Sequence, residues 1–154
     1  VDIRCGEIAE LPPDEPYDAM VFCFFGTGNE ALRIAKEQCC GPVIIIKKGW
    51  SEHRFSLGKQ KMGHESYADT MALLDGYGIP HTGETLTLEM GQTFRSLDDA
   101  CRFFEIYERS GAAVTEEAVR ARLTATGDTE FPWYLPQPKV MGIIRLDSRD
   151  IPEL

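Results

Sequence analysis

Histidine is scarce in this chain of 154 residues, with three in all, and the five cysteines contain no C-x-x-C pair. His53, His64 and His81 stand too far from Cys39-Cys40 to give a metal-ligand template, so no metal site is expected. An odd number of unpatterned cysteines also excludes a disulfide framework and reads as a reduced, cytoplasmic protein. Basic residues are few: 16 Lys and Arg stand against 25 Asp and Glu, for a net charge of -9. Nucleic-acid affinity needs clustered cations, and the tight pairs here are Lys47-Lys48 and the spaced Lys59 and Lys61, so no nucleic-acid partner is expected. Long apolar runs are missing too. The longest, Ala19 to Phe25, falls far below the ~20 residues that cross a bilayer, so no membrane partner is expected. No internal repeat or low-complexity tract appears.

What is present is an apolar content of 43%, enough for a real core. Tyr17 to Phe25 is an apolar run stopped by Gly26, and Val43 to Lys47 is a second such strand. Two strands apolar along their length suit a parallel sheet covered on both faces, with ligands beyond their carboxyl ends. Phe24, Phe25 and Gly26 therefore fall at an expected ligand-binding edge. Between the strands, Thr27-Gly28-Asn29-Glu30 fits a capping box, followed by the helical stripe Ala31, Ile34 and Ala35.

A short strand is expected at Val1 to Cys5, then an acidic, proline-interrupted loop. Gly49 to Gly63 reads as a functional loop, and a helix opens near Ser66 and stops at Gly76 or Gly78. Leu86, Leu88 and Met90 alternate with polar residues, the period of a strand with one buried face. Ser96 caps a further helix with stripe Leu97, Ala100, Cys101, Phe104 and Tyr107; a short helix covers about Thr115 to Leu123, and Val140 to Asp147 is the last strand.

Cys39-Cys40 read as buried thiols at a helix end and Cys23 as core, since no histidine stands near it in sequence. Trp50, Phe55, Tyr67, Trp133 and Tyr134 lie in or near loops, where some could line a small-molecule pocket. Glu7 follows a strand and a glycine at the edge where a nucleotide could be held. Gly26-Thr27-Gly28-Asn29-Glu30-Ala31 also satisfies G-x-G-x-x-A, with Lys47-Lys48 about twenty residues on, as an NADP site would need. Glu30 opposes it, because it puts a carboxylate where the pyrophosphate would bind.

The order Val1 to Pro12, then Tyr17 to Gly26, resembles the middle of a class I S-adenosylmethionine-dependent methyltransferase. Gly91 to Ala100 and Phe131 to Pro136 are similar to segments of poorly characterised bacterial members of that superfamily. The resemblance implies an α/β, Rossmann-like sheet, mostly parallel with an antiparallel C-terminal strand, and a single domain over residues 1–154 that lacks its N-terminal strands. It assigns the adenine contact to Glu7 and Ile8, and the methionine side of the cofactor to Cys23, Phe24, Phe25 and Gly26. The end of Tyr17 to Gly26 departs from the N-P-P-[YF] pattern of amino-group methylases, so nothing points to a nucleobase target and the acceptor stays open; the activity expected is methyl transfer to an unidentified small molecule. The glycine-rich cofactor motif and the ribose-binding acid are not among these residues, so the chain is expected to be the C-terminal portion and inactive alone. Its catalytic residue is unassigned. In that superfamily the first strand lies beside the fourth, so Tyr17 to Phe25 is expected to be an apolar edge that either leads to a homodimer or is paired by the chain's own first residues. An NADP-dependent oxidoreductase and a non-enzymatic interaction domain remain as alternatives.

Overall fold

The computed structural model describes residues 5–10, 13–50, 52–53, 55–61 and 63–153. Its elements are β1 (Met20–Cys23), α1 (Gly28–Gln38), β2 (Pro42–Lys48), α2 (Tyr67–Tyr77), β3 (His81–Glu89), β4 (Gln92–Phe94), α3 (Leu97–Tyr107), α4 (Glu116–Arg120), β5 (Thr124–Ala125), β6 (Trp133–Leu135) and β7 (Pro138–Asp147). Short 3-10 turns occupy Ile8–Glu10 and Ser148–Asp150. The expected strand at Val1 to Cys5 falls largely outside the described residues.

The helices begin where local chemistry says they should. The Thr27 hydroxyl accepts from the Glu30 amide and the Glu30 carboxylate accepts from the Thr27 amide. Ser66 and Asp69 repeat the box on α2, and Ser96 and Thr115 cap α3 and α4. Gly78 ends α2 in the left-handed conformation at φ 66°, which costs glycine no Cβ clash.

Two sheets form, one of four strands in the order β1-β2-β7-β3 and one of three in the order β4-β6-β5. The expectation of a mostly parallel Rossmann-like sheet is thereby overturned. β1 and β2 are parallel, and β7 runs antiparallel to β2 from Pro42 opposite Asp147 to Lys48 opposite Met141. In the second sheet both pairings are antiparallel. The reason is that β7 enters beside β2 and meets the core row Val43 and Ile45 with its own Ile144 and Leu146.

Cα packing separates the chain into two compact units: residues 1–49, 64–86 and 141–154, and residues 50–63 and 87–140. In unit 1 the core joins Met20, Phe22, Val43, Ile45 and Ile144 from the sheet to Ala31, Leu32, Ile34, Ala35 and Leu74 from α1 and α2. Ile34, Ile45, Leu74 and Ile144 are fully buried, and burying each such side chain is worth about 2 kcal/mol of transfer free energy. Tyr67 at the start of α2 crosses two glycines. A Cβ on Gly142 would meet its ring at 2.0 Å, and one on Gly83 would meet its hydroxyl at 2.3 Å. In unit 2, Phe55, Phe94, Ala100, Phe104, Val119 and Leu135 form the core. Phe55 and Phe103 meet there edge to face, with ring centroids 4.8 Å apart.

Three burial expectations are corrected. The burial of β1 alternates strictly, so Cys23 is exposed rather than core. Cys39 is buried but Cys40 is exposed, because Cys39 caps α1 in an extended conformation and its neighbour turns outward. Leu86, Leu88 and Met90 are 38% exposed or more, because β3 is the last strand of its sheet.

Candidate functional site

Unit 1 carries its functional geometry at the carboxyl ends of the parallel pair β1 and β2. Val43, Ile45 and Lys47 share the inward face of β2, and Lys47 is 3% exposed at the end of that row. A buried ammonium survives only if its donors are taken. The Lys47 Nζ donates to the carbonyls of Gly26 at 2.7 Å and Phe25 at 3.2 Å, and it lies 3.6 Å from the Glu65 carboxylate. Glu65 in turn accepts from the Gly28 amide at 2.7 Å and the Thr70 hydroxyl at 2.6 Å. One buried ion pair thus ties the β1–α1 turn to β2 and to the start of α2.

That turn is strained. Phe24 has φ 52°, in the left-handed region that a bulky residue seldom enters, and Gly26 follows at φ 37°. A Cβ on Gly28 would stand 2.7 Å from Glu65 Oε1 and from Leu73 Cδ2, so those side chains would have to shift to admit one. Beside the turn, Phe24, Gly26, Lys47, Lys48, His64 and Glu65 line a cleft of about 60 Å³. Desolvation, and then the charges of Lys48 and Lys47, hold the His64 imidazole below its ordinary pKa of 6.5. It stays neutral at pH 7 and can accept a proton.

Along β1 runs a second cavity of about 370 Å³, lined by Ile8, Met20, Val21, Phe22, Cys23 and Phe25. β1 ends its sheet, and Val21 is 61% exposed on it. Of the six residues assigned to cofactor binding by resemblance, Ile8, Cys23 and Phe25 meet in this groove, while Phe24 and Gly26 line the cleft next to it. Glu7 is exposed and lines neither; its carbonyl accepts from Glu10 to close the 3-10 turn. The Ile8 carbonyl is held by the buried Gln38 side chain at 2.8 Å, which anchors this turn to the end of α1.

The G-x-G-x-x-A stretch is used differently from a dinucleotide fingerprint. The α1 amides that would meet a pyrophosphate are taken by the Glu65 carboxylate at Gly28 and by the Thr27 hydroxyl at Glu30. Lys47 points into the protein. The order of residues alone hid Glu65 and His64, since neither sits in a recognisable motif. The signal for Lys47 was available: a lysine two residues beyond Val43-x-Ile45 falls on the core face of a strand.

Unit 2 holds a further cavity of about 320 Å³, with Trp50, His53, Lys59, Arg122 and Lys139 in its wall. Of the aromatics named from the sequence, Trp50 lines it. Phe55 belongs to the unit 2 core, Tyr67 packs on Gly142, and the Tyr134 hydroxyl donates to Glu89 at 2.8 Å. Trp133 lies under the Arg120 guanidinium at 5.3 Å. Among the described residues no group of three or more His, Cys, Asp and Glu could hold a metal ion, and no helix is long and apolar enough to cross a membrane.

No known family is shown. Comparison with protein-family models and with curated proteins finds no match to this chain.

Proposed function

We propose that this chain is part of an S-adenosylmethionine-dependent methyltransferase acting on a small molecule, with no glycine-rich cofactor motif among its own residues. The observation that carries the reading is the groove along β1. It collects Ile8, Cys23 and Phe25 into one apolar cavity, beside the strained turn at Phe24 and Gly26. The lining fits the apolar parts of the cofactor. Among the described residues no charged side chain lines it. When bound, S-adenosylmethionine supplies a methyl group already activated by its sulfonium, so the protein contributes mainly by positioning. Val21, Phe22 and Phe25 would exclude water from such a site, and Lys47 holds the turn that shapes it. His64 is a neutral group at the same edge that can accept a proton at its imidazole.

The test is calorimetric titration of S-adenosylhomocysteine into this chain and into one extended upstream in its natural reading frame, with NADP as control. Binding by the extended form alone is the expected result. Silence from both overturns the proposal, and retention of NADP by this chain alone would favour the oxidoreductase. A second reading, a non-enzymatic interaction domain, is favoured by β1, which ends its sheet among the described residues with Val21 exposed, and it expects no nucleotide binding in either form.

A further inference from the structure

The cavity of unit 2 stands apart from the groove of unit 1 in its chemistry. Its volume of about 320 Å³ lies at the lower end of small-molecule clefts. Among the described residues, three cations, Lys59, Arg122 and Lys139, line it against one carboxylate, Glu52. The chain as a whole is strongly acidic, but that charge is unevenly divided. Unit 1 has 15 acidic and 7 basic residues, net -8, whereas unit 2 has ten and nine, net -1. The general field of unit 2 therefore opposes an anion little.

How the cations are held matters more than how many there are. Elsewhere in unit 2, arginines are neutralised on the surface: Arg95 by Glu130 at 3.1 Å, Arg102 by Asp98 at 2.9 Å and Arg120 by Glu116 at 2.9 Å. Neither Lys59 nor Arg122 has a carboxylate within 4.0 Å among the described residues. Arg122 is also fixed in place. Its Nη1 donates to the Ser56 carbonyl at 3.0 Å, a bond that engages one of the five guanidinium donors. Ser56 is itself 3% exposed, and its hydroxyl accepts from the Arg109 amide at 3.1 Å. Across the wall, the Lys139 ammonium lies 5.0 Å from the centre of the Trp50 ring, which adds a flat apolar face. A preorganised guanidinium lining one cavity with lysines and an aromatic ring is chemistry for an anionic group on a small, partly apolar molecule.

We infer that the unit 2 cavity binds a small organic anion, its carboxylate or phosphate held by Arg122 and Lys59 and its apolar body against Trp50. The inference is independent of methyl transfer and stands or falls separately from it.

The experiment is an NMR titration of the whole chain with benzoate, phenyl phosphate and the neutral benzyl alcohol, following the Trp50 indole N–H and the Arg122 Nε–H. Saturable shifts of both signals with an anion, and none with the alcohol, are expected; whichever anion saturates first identifies the preferred headgroup. Lys59→Gln, at an exposed position, should weaken binding about tenfold, the cost of one charge-assisted contact. Arg122→Gln should abolish binding, with the remaining spectrum reporting whether the fold is kept. Absence of saturable shifts, equal response to the alcohol, anion-induced shifts confined to residues outside the cavity, or unchanged affinity in Lys59→Gln would each overturn the inference.

Discussion

Lys47 completes an inward row that begins with Val43 and Ile45, and its charge is tolerated there because two carbonyls and Glu65 surround it. Removing Lys47 leaves Glu65, 20% exposed and still accepting from Gly28 and Thr70, without its counter-charge, which costs about 1 to 2 kcal/mol. Lys47→Met should therefore lower unfolding stability by about that amount, and Lys47→Met with Glu65→Gln should recover part of it; urea denaturation of the three chains decides. A second residue acts through protons. Burial pushes the Glu108 carboxyl up, but hydrogen bonds from Ser110, Leu57 and Ala112 outweigh it and bring it from 4.5 down to about 2. The unfolded chain then binds the proton more readily than the folded one. The stability from Glu108 is present above pH 4.5 and drains as pH falls toward 2. The stability gap between the native chain and Glu108→Gln should shrink across that window in urea melts, and a gap independent of pH would refute the assignment.

At the scale of elements, β1 has one strand neighbour among the described residues, and its residues Val21 and Cys23 are exposed beside an apolar groove. Bare apolar edges pair with other strands. The isolated chain is therefore expected to dimerise through β1, and Val21→Lys to return it to a monomer by light scattering. A native chain that is already monodisperse and monomeric would end that idea. The strand itself was legible in the run Tyr17 to Phe25, as were the helix starts at Thr27, Ser66, Ser96 and Thr115, because caps and strand runs are local signals. The strands Gln92–Phe94 and Trp133–Leu135 were not legible. Both are three residues long, too short for an alternation to show, and Trp133–Leu135 is bracketed by Pro132 and Pro136.

At the scale of the whole molecule, strand direction and strand order are long-range choices, and there the expectation of a mostly parallel sheet failed. Ile143 to Leu146 would satisfy a parallel or an antiparallel neighbour equally in hydrophobicity. What decided was the docking of β7 beside β2, with Gly142 opposite Lys47 so that Tyr67 can lie across it. The unit 2 cavity is likewise nonlocal: Lys59, Arg122 and Lys139 are each unremarkable surface cations in sequence and become a cluster only when the chain closes on itself. By itself the sequence determined the helices, their caps, the apolar strands β1 and β2 and the strongly acidic balance, since each depends on neighbours a few residues away. Tertiary structure alone decided the sheet order, the burial of Lys47 against Glu65 and both larger cavities, because those depend on which distant residues share one volume.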